Sequence, residues 1–355
     1  LVSDLLIAPY LPVAERVQVG AWELLPLRKV EGSDVVPTDL RDEVSRLVEA
    51  YRLPSGGGAV LGVLAYPFGG KVGEPFERSD VELLGDALLA GVVADNPRMA
   101  LAEDEQSPNI GQGVSTAENA LLFGHPLGLA SGYVIETGVI LKALRMRSAT
   151  DGRPLPKVEP PVELPRPLFG SFDQEVASAA YALMLEGTMA ARRLQRSLDW
   201  YRVCLSNAEA VSSGVRVAAT RTALEVLTGA GDESKKLVRA VGNLLREDGA
   251  SEQTRSCVFW KGPVVLSDDE WWLARLCELR NSIVHGDELA ADTWIHDGHH
   301  HLDYAHDALV RCLKVVVAEH AEDPLLKLTR SERAFPRAHA RAERHLQELQ
   351  KGEPD

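Results

Sequence analysis

The sequence predicts an α+β N-terminal domain followed by an all-α helical bundle. Three observations carry that expectation. Residues 1–150 mix short β-branched runs with stripes at helical spacing. Residues 151–168 hold Pro154, Pro156, Pro160, Pro161, Pro165 and Pro167. Proline lacks the donor N–H and fixes φ, so that stretch suits neither helix nor central strand. From Phe172 on, apolar residues recur at helical spacing with short connections between stripes. The expected division is a mixed domain over residues 1–150, a linker over 151–170, a bundle over 171–325 and a C-terminal helix or tail over 326–355.

Each element follows from its own pattern. Leu5–Ala8, Val17–Leu25 and Ala59–Tyr66 read as strands. Thr38 or Asp39 opens a helix to about Tyr51, with Leu40, Val44, Leu47 and Val48 as its stripe. Asp80 caps another that carries Val81, Leu83, Leu84, Leu88 and Leu89. Tyr133–Leu144 reads as a strand or short helix. One or two helices span Asp173–Asn207, burying Leu183, Leu185, Leu194, Leu198, Tyr201 and Leu205. Helices over Ser212–Thr228 and Asp232–Arg246 follow, then a loop over Gly249–Leu266 with a short strand at Val258–Trp260. Asp268 or Asp269 caps the next helix, which ends at Gly286. Leu276, Leu279, Ile283 and Val284 form its apolar stripe. A long helix then runs from about Asp292 to Glu319 along Val310, Leu313, Val316 and Val317. Thr329–Gln350 reads as a last helix with Arg333, Arg337, Arg341 and Arg344 on one face. A solvated face is the plain reading of that arginine row. A nucleic-acid surface is the alternative, and Glu332, Glu343 and Glu348 weigh against it.

Composition narrows the function classes. A chain of 355 residues can bury two cores, and 45% hydrophobic with 25% charged residues is ordinary globular composition. A net charge of −14 argues against broad binding to nucleic acid or anionic membrane, while leaving room for a local basic cleft. Cys204, Cys257, Cys277 and Cys312 form no Cys-x-x-Cys pair and read as free buried thiols of a reducing compartment. No apolar run reaches the length of a membrane span, and the opening residues carry no basic-then-apolar signal. The expected location is the cytoplasm. The chain opens on Leu1 rather than Met, which points to a start trimmed or placed elsewhere.

Several short patterns fit plain structural roles. Gly56-Gly57-Gly58 lacks the Gly-Lys-Ser/Thr of a phosphate-binding loop and reads as a turn. Ser115 lacks the second glycine of a nucleophile elbow. His125, before Pro126, reads as a loop or core residue. His296, His299, His300, His301 and His306 form a cluster in which His296 and His300 would share a helix face, a spacing zinc sites use. No cysteine stands nearby, and a polar stripe is the plainer reading. No metal and no cofactor is expected.

The stretch with chemical promise is Leu276–Gly286. Arg280 is a permanent forked cation suited to phosphate oxygens. His285, five positions on, is the residue type that gives or takes a proton near neutral pH. Arg followed by His at that interval also arises by chance, and such residues often serve only a salt bridge, here to Glu278 or Asp287, or a helix end.

Context adds to the pattern. Arg280, Asn281 and His285 at a helix end, with Arg221-Thr222-Ala223-Leu224-Glu225-Val226-Leu227 upstream, resemble the HEPN superfamily, and more closely its Apea-like branch. The resemblance covers about residues 172–322. It implies a HEPN-like bundle and a metal-independent endoribonuclease, of the kind found in toxins and phage-defence effectors. His285 would then transfer protons and Arg280 hold phosphoryl oxygens, while Asn281 orients the phosphate or caps the helix. A carboxylate that polarises the site would be Glu225, with Glu278 nearer in sequence. Five residues turn an ideal helix side chain by about 140°, so Arg280 and His285 do not share a face unless the helix loosens near Val284. Family members solve this by pooling two copies of the hallmark, which implies an RNA-cleaving homodimer paired through the bundle. The alternative is a non-catalytic pairing module, with the first 150 residues binding a protein or small ligand, as a sensor or regulator would.

Overall fold

The computed structural model describes residues 4–9, 11, 13–38, 41, 62–72, 74, 78–95, 123–126, 172–205, 212–246 and 251–320. An antiparallel sheet comes first and a predominantly helical part follows. The strands are β1 (Asp4–Pro9), β2 (Val17–Val19), β3 (Trp22–Pro26), β4 (Gly62–Pro67) and β5 (Phe123–Pro126), in spatial order β2-β3-β4-β1-β5. The helices are α1 (Arg78–Asp95), α2 (Gln174–Leu185), α3 (Met189–Leu205), α4 (Ser213–Thr228), α5 (Ser234–Leu245), α6 (Asp268–His285) and α7 (His301–His320). Two small hairpins interrupt them: β6 (Glu252–Arg255) with β7 (Val264–Ser267), and β8 (Ile295–His296) with β9 (His299–His300). None of the described helices is long and apolar enough to cross a membrane.

The run expected as one strand over Val17–Leu25 is a hairpin, folded at Gly20 and Ala21. Gly20 has φ +56, the conformation that glycine adopts without steric penalty. A Cβ there would lie 2.0 Å from Tyr181 Cδ1 on α2, so the turn also needs a bare backbone to let that ring approach. In β4, Val63 and Ala65 join the cluster shared with the helices, and Leu64 and Tyr66 are buried on the opposite face. That burial on both faces accounts for the unbroken apolar run in sequence.

One buried cluster runs from Leu6, Leu24 and Val63 through α1 to Leu198, Leu224, Leu276 and Leu313. Polar ties reinforce it. Arg202 of α3 pairs with Asp86 of α1, where burial pushes the Asp86 carboxyl up and Arg202 opposes that push. The Asp173 amide donates to the Gly91 carbonyl at 3.1 Å. The Asp173 side chain caps α2 by accepting from the Val176 amide at 2.9 Å.

Several boundaries differ from the expectation. Asp173–Asn207 divides into α2 and α3 around Gly187, which has φ +63. Leu183, Leu194, Leu198 and Tyr201 are buried, but Leu185 is 68% exposed because α2 ends there and its last turn leaves the core. Asp80 lies inside the first turn of α1, not at its cap. Ser267 rather than Asp268 or Asp269 caps α6. Its hydroxyl accepts from the Glu270 amide at 3.2 Å, and Glu270 Oε2 accepts from the Ser267 amide at 2.9 Å, a reciprocal capping box. Asp269 is thereby free to pair with Arg311 of α7 at 2.7 Å. The loop before α6 holds the β6–β7 hairpin, and Val258–Trp260 lie between its strands.

The long helix expected from Asp292 begins only at His301. A 3-10 turn (Ala291–Trp294) and the β8–β9 hairpin replace its first turns, with Asp297 at φ +48 in the bend. His296 and His300 therefore do not share a helix face; His296 pairs with His299 and Ile295 with His300. The described residues contain no cluster of three or more His, Cys, Asp or Glu placed to hold a metal ion. His306 instead hydrogen-bonds Tyr201 inside the bundle. Cys204, Cys257, Cys277 and Cys312 are free and buried, and burial pushes the Cys204 and Cys312 thiols up to about 12. The helix expected from Thr38 or Asp39, Gly56–Gly58, Ser115, the Tyr133–Leu144 segment, the proline-rich stretch and the Thr329–Gln350 helix lie outside the described residues. His125 falls in β5.

Two tests follow from this packing. Gly20→Ala must displace Tyr181, so chemical denaturation should show a loss of about 1–3 kcal/mol. His301 is buried beside His296, at 5.7 Å between ring centroids, and burial lowers its pKa from 6.5 to about 4. A depressed histidine favours the folded state above its unfolded pKa, and that contribution is lost as pH falls through the folded one. Stability measured by urea melts should fall between pH 6.5 and 4 by up to roughly 3 kcal/mol from this group. His301→Gln should flatten that limb of the profile.

Candidate active site

The residues singled out in sequence sit where α4 and α6 pack together. Gly214, at the start of α4, faces Ile283 near the end of α6: a Cβ on Gly214 would lie 3.0 Å from Ile283 Cγ2. Further along α4, Arg221 reaches Cys277 of α6. The two helices therefore run antiparallel, and the absence of a side chain at Gly214 lets them close up at that end.

Arg221 is only 3% exposed, and Glu225 lies one turn on. Arg221 Nη2 is 2.8 Å from Glu225 Oε1 and also donates to the Asp232 carbonyl at 3.2 Å and the Ser234 hydroxyl at 3.4 Å. The contact with Oε1 is an ion pair outside hydrogen-bonding geometry, since that buried oxygen has no hydrogen-bond partner. Burial raises the Glu225 pKa; Arg221 and then Arg280 act in the opposite direction. Arg280 is thus close enough to Glu225 for its charge to be felt across the helix pair.

Arg280 is half-buried on α6. Its Nη1 donates to Asn281 Oδ1 at 3.3 Å, and it makes no ion pair among the described residues. The salt-bridge role weighed from sequence has no support at Glu278. That carboxylate pairs with Arg275 and accepts from Cys257 Sγ at 3.3 Å and from the Val258 amide at 3.5 Å. Glu278 is thereby committed to the β6–β7 connection, whereas Glu225 feels the Arg280 charge without pairing with it. Asn281 does not cap the helix; Gly286 does, at φ +76.

His285 is the last residue of α6 and is exposed. The helix stays regular up to it, so the loosening considered near Val284 does not occur. Arg280 and His285 leave the axis about 140° apart. The structure therefore joins Arg280 to Asn281, keeps Glu225 within electrostatic reach of Arg280 but paired with Arg221, and leaves His285 on a different side. Val284 is 55% exposed, off the stripe on which Leu276 and Leu279 are buried.

Beside Glu225 the surface dips into a cavity of about 490 Å³, walled by Met189, Arg192, Arg193 and Arg196 from α3 and by Glu225 and Asp232. Neither Arg221 nor the α3 arginines stood out as site residues in the sequence. The signal available was spacing: Arg221 and Glu225 are four apart, and so are Arg192 and Arg196, which puts each pair on one helix face.

Compared with protein-family models, curated proteins and solved structures, the chain matches none of them.

The charge arrangement separates two roles by stability. Glu225→Ala would leave the buried Arg221 without its carboxylate and should cost about 3–5 kcal/mol in urea denaturation. Arg280→Ala breaks no ion pair among the described residues and should cost under about 1 kcal/mol.

Proposed function

We propose that the protein is a metal-independent endoribonuclease of HEPN type, acting as a homodimer. The observation that carries this reading is Arg280: a half-buried guanidinium with no ion pair among the described residues, hydrogen-bonded to Asn281 and within electrostatic reach of Glu225. A half-buried cation without an ion pair among the described residues, in a protein of net charge −14, suits an anionic substrate.

The chemistry follows from the side chains. The ribose 2′-hydroxyl attacks the adjacent phosphorus, and the P–O5′ bond breaks, leaving a 2′,3′-cyclic phosphate and a 5′-hydroxyl. Arg280 holds the phosphoryl oxygens as charge builds on the phosphorane. His285 moves the proton, removing it from the 2′-hydroxyl or supplying it to the departing 5′-oxygen. Asn281 orients the guanidinium through the bond it accepts. Glu225 polarises Arg280 and is itself fixed by Arg221.

The 140° between Arg280 and His285 is why the reading includes a second copy. A two-fold pairing at the end of α6 sets the histidine of one subunit against the arginine of the other. Support for that face comes from Val284 and Val215, 55% and 44% exposed, on the segments where Ile283 meets Gly214. Apolar side chains left in water at a helix junction suit a protein interface.

The test is incubation of purified protein with mixed RNA in excess chelator. Wild type should cleave, and Arg280→Ala and His285→Ala should each lose about 10²–10⁴-fold. Mixing the two inactive variants should restore about a quarter of the activity, because half the dimers carry one complete site. Absence of cleavage by wild type sinks the nuclease and leaves the pairing module, whose N-terminal half would then carry the recognition.

A further inference from the structure

The cavity beside Glu225 has a lining that the cleavage chemistry does not use. Arg192, Arg193 and Arg196 project from the first half of α3, and all three are exposed. Among the described residues none of them makes an ion pair or a side-chain hydrogen bond. Other surface arginines behave differently: Arg16, Arg246 and Arg275 are each paired with a glutamate. Three like charges within five positions of one helix repel, so the arrangement costs stability unless an anion sits against it.

The cavity carboxylates do not neutralise them. Glu225 is held by Arg221, and Asp232 forms no ion pair with an α3 arginine. The backbone is shaped for the cluster at one point. Gly229, at φ +68, closes α4, and a Cβ there would lie 2.3 Å from the Arg193 guanidinium carbon. Arg193 therefore lies flat on the exposed end of α4, which fixes its fork at the cavity rim. Arg192 and Arg196 stand one turn apart on the same wall. Met189, 62% exposed, adds an apolar surface at the same wall.

The geometry points to a phosphate-binding subsite: the α3 arginines take the backbone phosphates of a single-stranded RNA, next to the bond presented to Arg280. Guanidinium forks match phosphate oxygens two at a time, and a strand offers one such group per nucleotide. Glu225 relates the two places, since it walls the cavity and lies within electrostatic reach of Arg280. Met189 gives an unpaired base an apolar surface to lie on. This assignment rests on the nuclease reading for its direction, from cavity to Arg280, but its binding step stands apart from cleavage.

The deciding experiment uses a 2′-O-methyl oligonucleotide, which has the phosphates but no attacking hydroxyl, titrated against the full chain at several salt concentrations. Wild type should bind, more weakly as salt rises. Arg192→Ala/Arg196→Ala should bind at least roughly 10-fold more weakly, with a salt dependence shallower by about 1.4 in log–log slope, as expected for two lost phosphate contacts on a single strand. Arg28→Ala/Lys29→Ala removes the same charge from the N-terminal half and should leave the slope nearly unchanged. Equal affinity and slope for wild type and the α3 double variant would overturn the subsite, whether or not the protein cleaves RNA. Competition by inorganic phosphate as effective as by the strand, per phosphate, would overturn the strand and leave a small-anion site. Arginine-dependent binding by a protein that cleaves nothing would uphold the subsite and refute only the nuclease.

Discussion

The buried ion pair between Arg221 and Glu225 is the constraint on which the helical part turns. An arginine that is 3% exposed needs compensation on every side. Glu225 supplies the charge, the Asp232 carbonyl and the Ser234 hydroxyl accept hydrogen bonds, and Cys277 lies against it. Those partners belong to α4, to the start of α5 and to α6. One side chain thus sets the spacing of three helices. It also holds Glu225, which walls the arginine-lined cavity and lies within electrostatic reach of Arg280.

The end of α6 is shaped by a different balance. Its start is pinned twice, by the Ser267–Glu270 capping box and by Asp269 against Arg311. Glu270 also receives Arg239 of α5 at 2.7 Å. Its end has only the glycine cap and the close approach of Gly214. The apolar stripe is buried through Leu279 and then runs out, leaving Val284 and His285 in solvent. A helix held firmly at one end and presented at the other is a suitable mount for groups that must meet something outside the chain.

Sheet and helices share a core instead of meeting only through a linker. Tyr181 of α2 lies over the Gly20 turn, Gln174 Nε2 donates to the Gln18 carbonyl at 3.0 Å, and Arg202 pairs with Asp86. Composition and proline density show where the chain changes character, yet they carry no sign of these contacts. Each partner lies more than one hundred positions away from the residue it meets, and such pairs have no period to detect.

What the sequence determined by itself was local. It placed α4 within a residue of its bounds, α6 with its glycine stop, and a mixed first half before a mostly helical second, because glycine stops and helical stripes act within a few residues. It also marked Arg280 and His285 as chemically capable. It misplaced the start of α7, since the Asp297-Gly298 bend lies inside a polar, histidine-rich run that reads equally well as a helical face. Only the tertiary structure decided that Glu278 is engaged by Arg275 and Cys257, that the α3 arginines wall one cavity with Glu225, and that His285 turns away from Arg280. Those outcomes depend on how α3, α4 and α6 pack, and packing pairs residues by geometry across the core, not by distance along the chain.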